Sequence, residues 1–272
     1  MLFGGKLEYG MVGGAPLSRE TDEFVNICFG TFKQAYGTTE LCCGATFSEI
    51  DYYKPCNVGP PIGCSEIKLV TWEEAGYFSE DPEKPQGEIH VHGQNVCKEY
   101  FNDSSQTAES FYVDGFTKKI WFKTGDIGQK LPDGTFRIID RKQDIIKLVH
   151  GEYVSLVRIE TILMRIKFIK NCCVLPNEEK SALVALIVPN TEELHELATE
   201  NKISDNLSEN EKLNGLLLSH LNRYIDIAKL NKWERINKCQ LVEDEWTVES
   251  GVLTPTMKIK RRKVREMYAK FL

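Results

Sequence analysis

Residues 135–140 alternate apolar and polar side chains and are rich in β-branched types, which predicts a strand. Pro132, Asp133 and Gly134 just before it predict a turn, because proline presets φ and glycine accepts positive φ. Five consecutive polar residues follow: Asp140, Arg141, Lys142, Gln143 and Asp144. That many polar groups are not buried unpaired, so the run predicts a surface junction and a domain boundary. Apolar residues 145–149 predict a second strand, closed by Gly151. Ile159, Ile162, Leu163 and Ile166 then recur at the i, i+3, i+4, i+7 spacing of a helix.

The same patterns organise the flanks. Residues 7–12 predict a strand running into Gly13-Gly14-Ala15-Pro16, and Ser18 with Glu20, Asp22 and Glu23 predicts a capped helix start. Residues 32–35 predict a strand that ends at Tyr36-Gly37-Thr38-Thr39-Glu40. Residues 58–98 hold short alternating strands and turns, which predicts a small antiparallel sheet or distorted barrel. His90 and His92 share one strand face there and are expected at solvated positions. Residues 107–117 predict a short helix and loop before an extended segment at 121–126. Beyond the junction, apolar residues 172–175 and 182–188 predict strands of a mostly buried sheet. Thr191 is the expected cap of a following helix. Leu213, Leu216, Leu217, Leu221, Tyr224, Ile225 and Ala228 trace one helical face. The result is a mixed α/β chain with a second, smaller α/β domain.

Composition narrows this picture without changing it. With 42% apolar and 27% charged residues the chain is ordinary globular material, long enough for two domains. A net charge of −6 gives a nucleic-acid role no support. No apolar run reaches the roughly 18 residues of a membrane helix, and the N-terminus lacks a signal-peptide layout. Nine cysteines, an odd number without a C-x-x-C, read as reduced thiols. Lys258, Lys260, Arg261, Arg262, Lys263 and Arg265 make the end strongly basic, with most of these charges expected on a solvated helix face.

Three segments carry chemistry. An aromatic, a glycine, hydroxyls and a carboxylate in A-Y-G-T-T-E suit a nucleotide with its phosphates and Mg²⁺, although the same residues also make a plain helix start. An aspartate at a strand end, as in W-F-K-T-G-D, can accept two hydrogen bonds from a diol. Lys258 follows L-T-P-T-M on a loop. Together V-G-G-A-P-L-S, A-Y-G-T-T-E, D-R-K-Q-D-I-I-K-L-V-H-G-E-Y-V and L-T-P-T-M-K-I-K-R-R resemble, in content and order, the C-terminal portion of AMP-forming acyl-CoA synthetases. Within these adenylate-forming ligases the wording is most similar to the long-chain fatty acid branch.

The resemblance implies a truncated adenylate-forming N-terminal domain with a small β-sheet or barrel subdomain (1–140), a hinge (141–144) and an α/β C-terminal lid (145–272). It implies activation of a long-chain fatty acid with ATP and Mg²⁺, then transfer to coenzyme A with release of AMP and pyrophosphate. Gly14, Ala15, Pro16, Tyr36 and Gly37 would line the adenine pocket. Thr39 would touch the α-phosphate, Glu40 would ligate the metal, and Asp126 and Arg141 would hold the nucleotide, Asp126 at the ribose. Lys258 would be the adenylation lysine, Gln143 the hinge residue, and Lys147 and Gly151 would serve the thioester step. The family's Ser/Thr/Gly-rich phosphate loop has no counterpart in the sequence, so the chain reads as a fragment. A non-catalytic AMP-binding or partner-binding remnant, or a ligase for another carboxylic acid, stays open. The resemblance places the chain in the cytoplasm, with peripheral contact to an intracellular membrane such as the ER as an open expectation.

Overall fold

The computed structural model describes residues 5–15, 17–203 and 210–272. The chain divides into two compact units, Met1–Gln143 and Asp144–Leu272.

In the first unit, strand β1 (Tyr9–Val12) pairs in parallel with β2 (Thr31–Tyr36), and β3 (Thr46–Phe47) joins β2 antiparallel. Helix α1 (Arg19–Cys28) connects β1 to β2. Ser18 caps it, its side chain accepting from the Thr21 amide, and Glu20 and Asp22 sit in the positive first turn. A second sheet contains β4 (Ser65–Val70), β5 (Gln86–Gly93), β6 (Phe111–Val113), β7 (Ile120–Lys130) and β8 (Phe136–Arg141). Its order is β4-β5-β7-β6, with β8 on β7, and every pair is antiparallel. Ile89, Val91, Phe111, Phe122 and Phe136 from this sheet pack with Tyr36 and Leu41 in one core cluster.

Three expectations in this unit change. Helix α2 spans Ser104–Ser110, earlier and shorter than expected, because Asp103 caps it by accepting from the Gln106 amide. Phe111 then joins the sheet instead of a helix, since its ring buries against Phe122 at 5.1 Å between centroids. His90 is buried, not solvated: its Nδ1 lies 2.8 Å from the Tyr112 hydroxyl. His92 does remain partly accessible, with Nδ1 2.7 Å from the Ile120 carbonyl.

The second unit starts with a hairpin of β9 (Ile145–Lys147) and β10 (Tyr153–Ser155), then helix α3 (Leu156–Leu163). Strand β9 stops at Lys147, short of residue 149, because Leu148 and Gly151 close the hairpin turn with a 2.9 Å bond. The sheet is β11 (Ile169–Pro176), β12 (Leu183–Pro189) and β13 (Lys238–Leu241), with β11 antiparallel and β13 parallel to β12. Helices α4 (Thr191–Glu200), α5 (Glu211–Ile227) and α6 (Arg261–Met267) complete it.

The continuous apolar run of β12 has a direct cause. Leu183, Ala185 and Ile187 pack into one cluster with α3 and α5 residues, while Val184, Leu186 and Val188 pack into another with Trp246, Val264 and Tyr268. Both faces are covered, so neither needs polar residues. The helix α5 stripe of Leu213, Leu217, Leu221 and Ile225 is fully buried, each residue contributing about 1.5–3 kcal/mol of burial energy. At α4 the cap position belongs to Asn190, not Thr191, because Asn190 still has extended dihedrals and Thr191 is already helical. All nine cysteines are free thiols.

Candidate functional site

Strand β2 delivers Tyr36 into the core of the first unit. The Tyr36 hydroxyl donates to Asp126 Oδ2 at 2.6 Å, joining residues 90 positions apart. Both are buried, at 8% and 4% exposure. Asp126 lies in β7 just after Gly125, whose φ of +70° is the left-handed region that glycine adopts freely. Its amide donates to Thr124 Oγ1 at 3.0 Å. Across the ladder Arg141 is the register partner of Asp126, and its Nε lies 3.3 Å from Oδ1. Burial, then the Asp126 carboxylate, pushes the Tyr36 hydroxyl well above its ordinary range. Tyr36 therefore stays a neutral donor to Asp126 at any physiological pH.

After Tyr36 the backbone turns tightly. A Cβ at Gly37 would collide with the Cys43 carbonyl, so only glycine lets the two segments meet. The loop closes through Cys43 N–H donating to the Thr38 carbonyl at 3.0 Å and Ala45 N–H to the Tyr36 carbonyl at 2.8 Å. Thr39–Leu41 forms a 3₁₀ turn. Thr38 Oγ1 is buried and makes no hydrogen bond of good geometry among the described residues, with the Glu40 carboxylate as its polar neighbour. Thr39 is exposed and Glu40 half-buried.

Glu40 is held from outside its own loop. The Tyr100 hydroxyl donates to Oε1 at 2.8 Å, and the Cys97 amide donates to the Glu40 carbonyl at 2.8 Å. Burial raises the Glu40 carboxyl, yet its own backbone amide, the Tyr100 and Thr38 hydroxyls and the Arg141 charge together hold it below the usual carboxylate range. Arg141 thus acts on Tyr36, Asp126 and Glu40 alike. No group of three or more His, Cys, Asp and Glu among the described residues could cage a metal. A single ionised carboxylate fits Mg²⁺ bound mainly through phosphate oxygens and water.

The remaining candidates fall into two groups. Gly14 and Ala15 lie exposed just past β1, whose Val12 is beside Gln34 of β2. Gly14 has φ +85° and open space where a Cβ would point. Pro16 lies outside the described residues. In the second unit Lys258 is an exposed residue of a turn bridged by Leu253 and Ile259. Thr254 N–H donates to the Lys258 carbonyl at 2.8 Å, and Lys258 N–H to Thr254 Oγ1 at 3.0 Å. Lys147 Nζ lies 5.4 Å over the Tyr153 ring, and Gly151 turns the β9–β10 hairpin at φ +89°. Gln143 is exposed in the 3₁₀ turn Lys142–Asp144.

Two expectations about charge are corrected. Asp140 of the polar junction is buried, at 8% exposure, and accepts from the Arg141 amide at 2.7 Å. Arg261, expected on a solvated face, points inward instead. It donates to both Glu160 oxygens, to Asp144 Oδ1 and to the Val174 carbonyl. Tyr100, Glu88 and Glu160 were not legible as site residues. Their partners Glu40, Lys142 and Arg261 lie 54 to 101 positions away.

Comparison with known proteins shows similarity in sequence and in fold. Residues 2–101 match the family model described as AMP-binding enzyme. Long chain acyl-CoA synthetase 8 of Arabidopsis thaliana is 42% identical over 272 residues, covering 98% of this chain. Long-chain-fatty-acid–CoA ligase 1 of Saccharomyces cerevisiae is 33% identical, covering 96%. The chain spans 38% and 37% of the length of these two relatives. Among solved structures, the A domain of carboxylic acid reductase from Segniliparus rugosus, in complex with AMP and a co-purified carboxylic acid, matches with a TM-score of 0.81 and 27% identity. That match covers 99% of this chain and 39% of the other.

Proposed function

We propose that this chain, related over nearly its whole length to the long-chain acyl-CoA synthetases, supplies the nucleotide-binding and rotating parts of an AMP-forming ligase for a long-chain fatty acid. One observation carries the reading. Tyr36, Glu40 and Asp126, distant in sequence, are brought together under the charge of Arg141. A nucleotide offers groups whose chemistry suits this set: a diol for Asp126, phosphate oxygens for Thr39 and Arg141, and a metal for Glu40.

In the first half-reaction a fatty acid carboxylate oxygen attacks the α-phosphorus of ATP and pyrophosphate leaves. Negative charge gathers on the phosphoryl oxygens, and preorganised donors and cations lower that barrier. Thr39 and Lys258 supply the donor and the cation. Glu40 would hold Mg²⁺, which would supply neutralisation of phosphate charge there. Gly14, Ala15, Pro16, Tyr36 and Gly37 wall the adenine, and Asp126 anchors the ribose so that the α-phosphate stays in place. In the second half-reaction the thiolate of coenzyme A attacks the acyl carbon and AMP leaves. The second unit rotates at Gln143 between the halves, and Lys147 and Gly151 then face the nucleotide and the thiol's path.

Lys258→Ala in the full-length context tests the assignment. Loss of one well-placed donor costs about 3–4 kcal/mol in kcat, so adenylate formation falls while thioester formation from supplied acyl-adenylate persists. Equal damage to both halves refutes the role of Lys258. Because the chain spans only 38% of its relative, a non-catalytic AMP-binding remnant is the second reading. Calorimetric titration with AMP, beside pyrophosphate release from ATP and palmitate, separates the two. Among the described residues no helix is long and apolar enough to cross a membrane. Cytoplasmic placement, with peripheral contact through exposed Arg262 and Lys263, belongs to the same proposal.

A further inference from the structure

The loop that carries Thr39 and Glu40 does not keep its shape unaided. Two consecutive residues in it, Cys42 and Cys43, stand at φ +49° and +76°. A Cβ makes that left-handed region unfavourable, and such residues persist where their surroundings over-determine them. The surroundings here come from a segment 51 to 60 positions further on. Asn95, just past β5, donates through Nδ2 to the Gly44 carbonyl at 2.6 Å and to the Leu41 carbonyl at 3.3 Å. One amide thus spans both ends of the left-handed pair. Ser65 Oγ on β4 donates to Asn95 Oδ1 at 3.1 Å, which fixes the end of the amide that faces the loop. The Cys97 amide donates to the Glu40 carbonyl at 2.8 Å, and the Tyr100 hydroxyl to Glu40 Oε1 at 2.8 Å. Tyr100 is itself held, with its ring 5.9 Å from that of Phe111 and its amide donating to Thr107 Oγ1 at 3.0 Å. Leu41 is fully buried in the core cluster against which Val96, Cys97 and Tyr100 pack.

We propose that Asn95 and Tyr100 are positioning residues for this loop, Asn95 fixing where its backbone lies and Tyr100 aiming the Glu40 carboxylate. The division follows from the atoms each one meets. Asn95 bonds backbone carbonyls, so its loss releases the whole loop and displaces Thr39 and Glu40 together. Tyr100 bonds one side-chain oxygen, so loss of its hydroxyl leaves the backbone in place and frees the carboxylate alone. A metal held through one carboxylate, with phosphate oxygens and water for the rest, depends on where that carboxylate points. The use of Tyr100 towards Mg²⁺ rests on the ligase reading above; the hold of Asn95 on the loop does not.

Amide hydrogen exchange on the whole native chain reads Asn95 without any ligand. The Cys43 and Ala45 amides close the loop. Asn95→Ala should speed their exchange about tenfold while the β5–β7 ladder exchanges as before. Ser65→Ala removes only the hydroxyl that orients the amide. It should give a smaller rise at the same two amides, and it serves should Asn95→Ala fail to fold. Tyr100→Phe keeps the ring against Phe111 and should leave both amides unchanged. Calorimetric titration with ATP, in EDTA and over a series of MgCl₂ concentrations, then reads Tyr100. Tyr100→Phe should keep the metal-free affinity and weaken Mg²⁺ binding about 10- to 100-fold. A lowered Tm with an unaltered Mg²⁺ dependence would mark a merely structural role and overturn the assignment of Tyr100. Unchanged exchange at Cys43 and Ala45 in both Asn95→Ala and Ser65→Ala overturns that of Asn95. A wild-type chain that binds no ATP, with or without Mg²⁺, removes the ligase reading and the role of Tyr100 with it; the exchange rates then decide Asn95 alone.

Discussion

Arg261→Met tests whether the second unit is held together by its inward-pointing arginine. The Arg261 side chain is 20% exposed, and its partners Glu160 and Asp144 are 12% and 16% exposed. Burial lowers the Arg261 pKa, but the Glu160 hydrogen bonds and charge outweigh it, and the guanidinium is raised above its ordinary value. Methionine fills similar space and removes every donor. Glu160 keeps one partner, the Val174 amide at 2.6 Å, and both carboxylates lose their cation. Removing one member of a buried ion pair costs about 3–5 kcal/mol. Residual solvent contact and the retained amide place this case at the low end, about 3 kcal/mol. Adding Glu160→Gln removes the stranded charge, so the double variant should recover part of that loss, with a coupling of about 1–3 kcal/mol. Urea unfolding followed by ¹⁹F signals of fluorotryptophan at Trp233 and Trp246 isolates the second unit. A single-variant loss below about 1 kcal/mol, or strict additivity in the double variant, would show that the network contributes little.

Burial raises the Glu88 carboxyl, but contacts from His90 and Lys142 bring it down to about 2. Its stabilising contribution is therefore complete above the ordinary carboxylate pKa and lost as pH falls through about 2. Glu88→Gln should flatten the fall of Tm on the acid side; an unchanged slope between the two proteins counts against the pairing. Gly37→Ala should cost about 1–3 kcal/mol and weaken AMP binding, because the new methyl meets the Cys43 carbonyl; an unchanged melting curve would contradict that crowding. In the full-length context Gln143→Pro fixes φ at the pivot, so pyrophosphate release should persist while acyl-CoA formation stops, and undiminished acyl-CoA formation would place the hinge elsewhere. A thiol reagent on the native chain should label the exposed Cys28, Cys42, Cys43 and Cys64 and spare Cys172, Cys173 and Cys239, which burial pushes above the usual thiol range; early modification of a buried thiol, located by peptide mass mapping, would mean that the sheet opens readily.

Elements set by near neighbours are legible in the sequence. Ser18 caps α1 because the cap needs only a side-chain oxygen and the next three residues. The Leu213-to-Ile225 stripe follows from its helical period, and the doubly buried β12 from its unbroken apolar run. Errors arose where a distant partner overrode the local rule. Phe111 joins a strand because Phe122 offers it a core contact. His90 is buried with Tyr112 meeting its Nδ1 and the Glu88 carboxylate 3.7 Å from its Nε2.

The amino-acid order by itself determined the Ser18 cap, the α5 stripe and the apolar run of β12, since each depends on neighbours within a few turns. Only the tertiary structure decided that Tyr36 donates to Asp126, that Tyr100 holds Glu40, and that Arg261 turns inward to Glu160 and Asp144. A polar side chain looks the same in sequence whether it meets water or a partner. Which it meets depends on what the fold brings within about 3 Å, and burial makes that choice energetically binding.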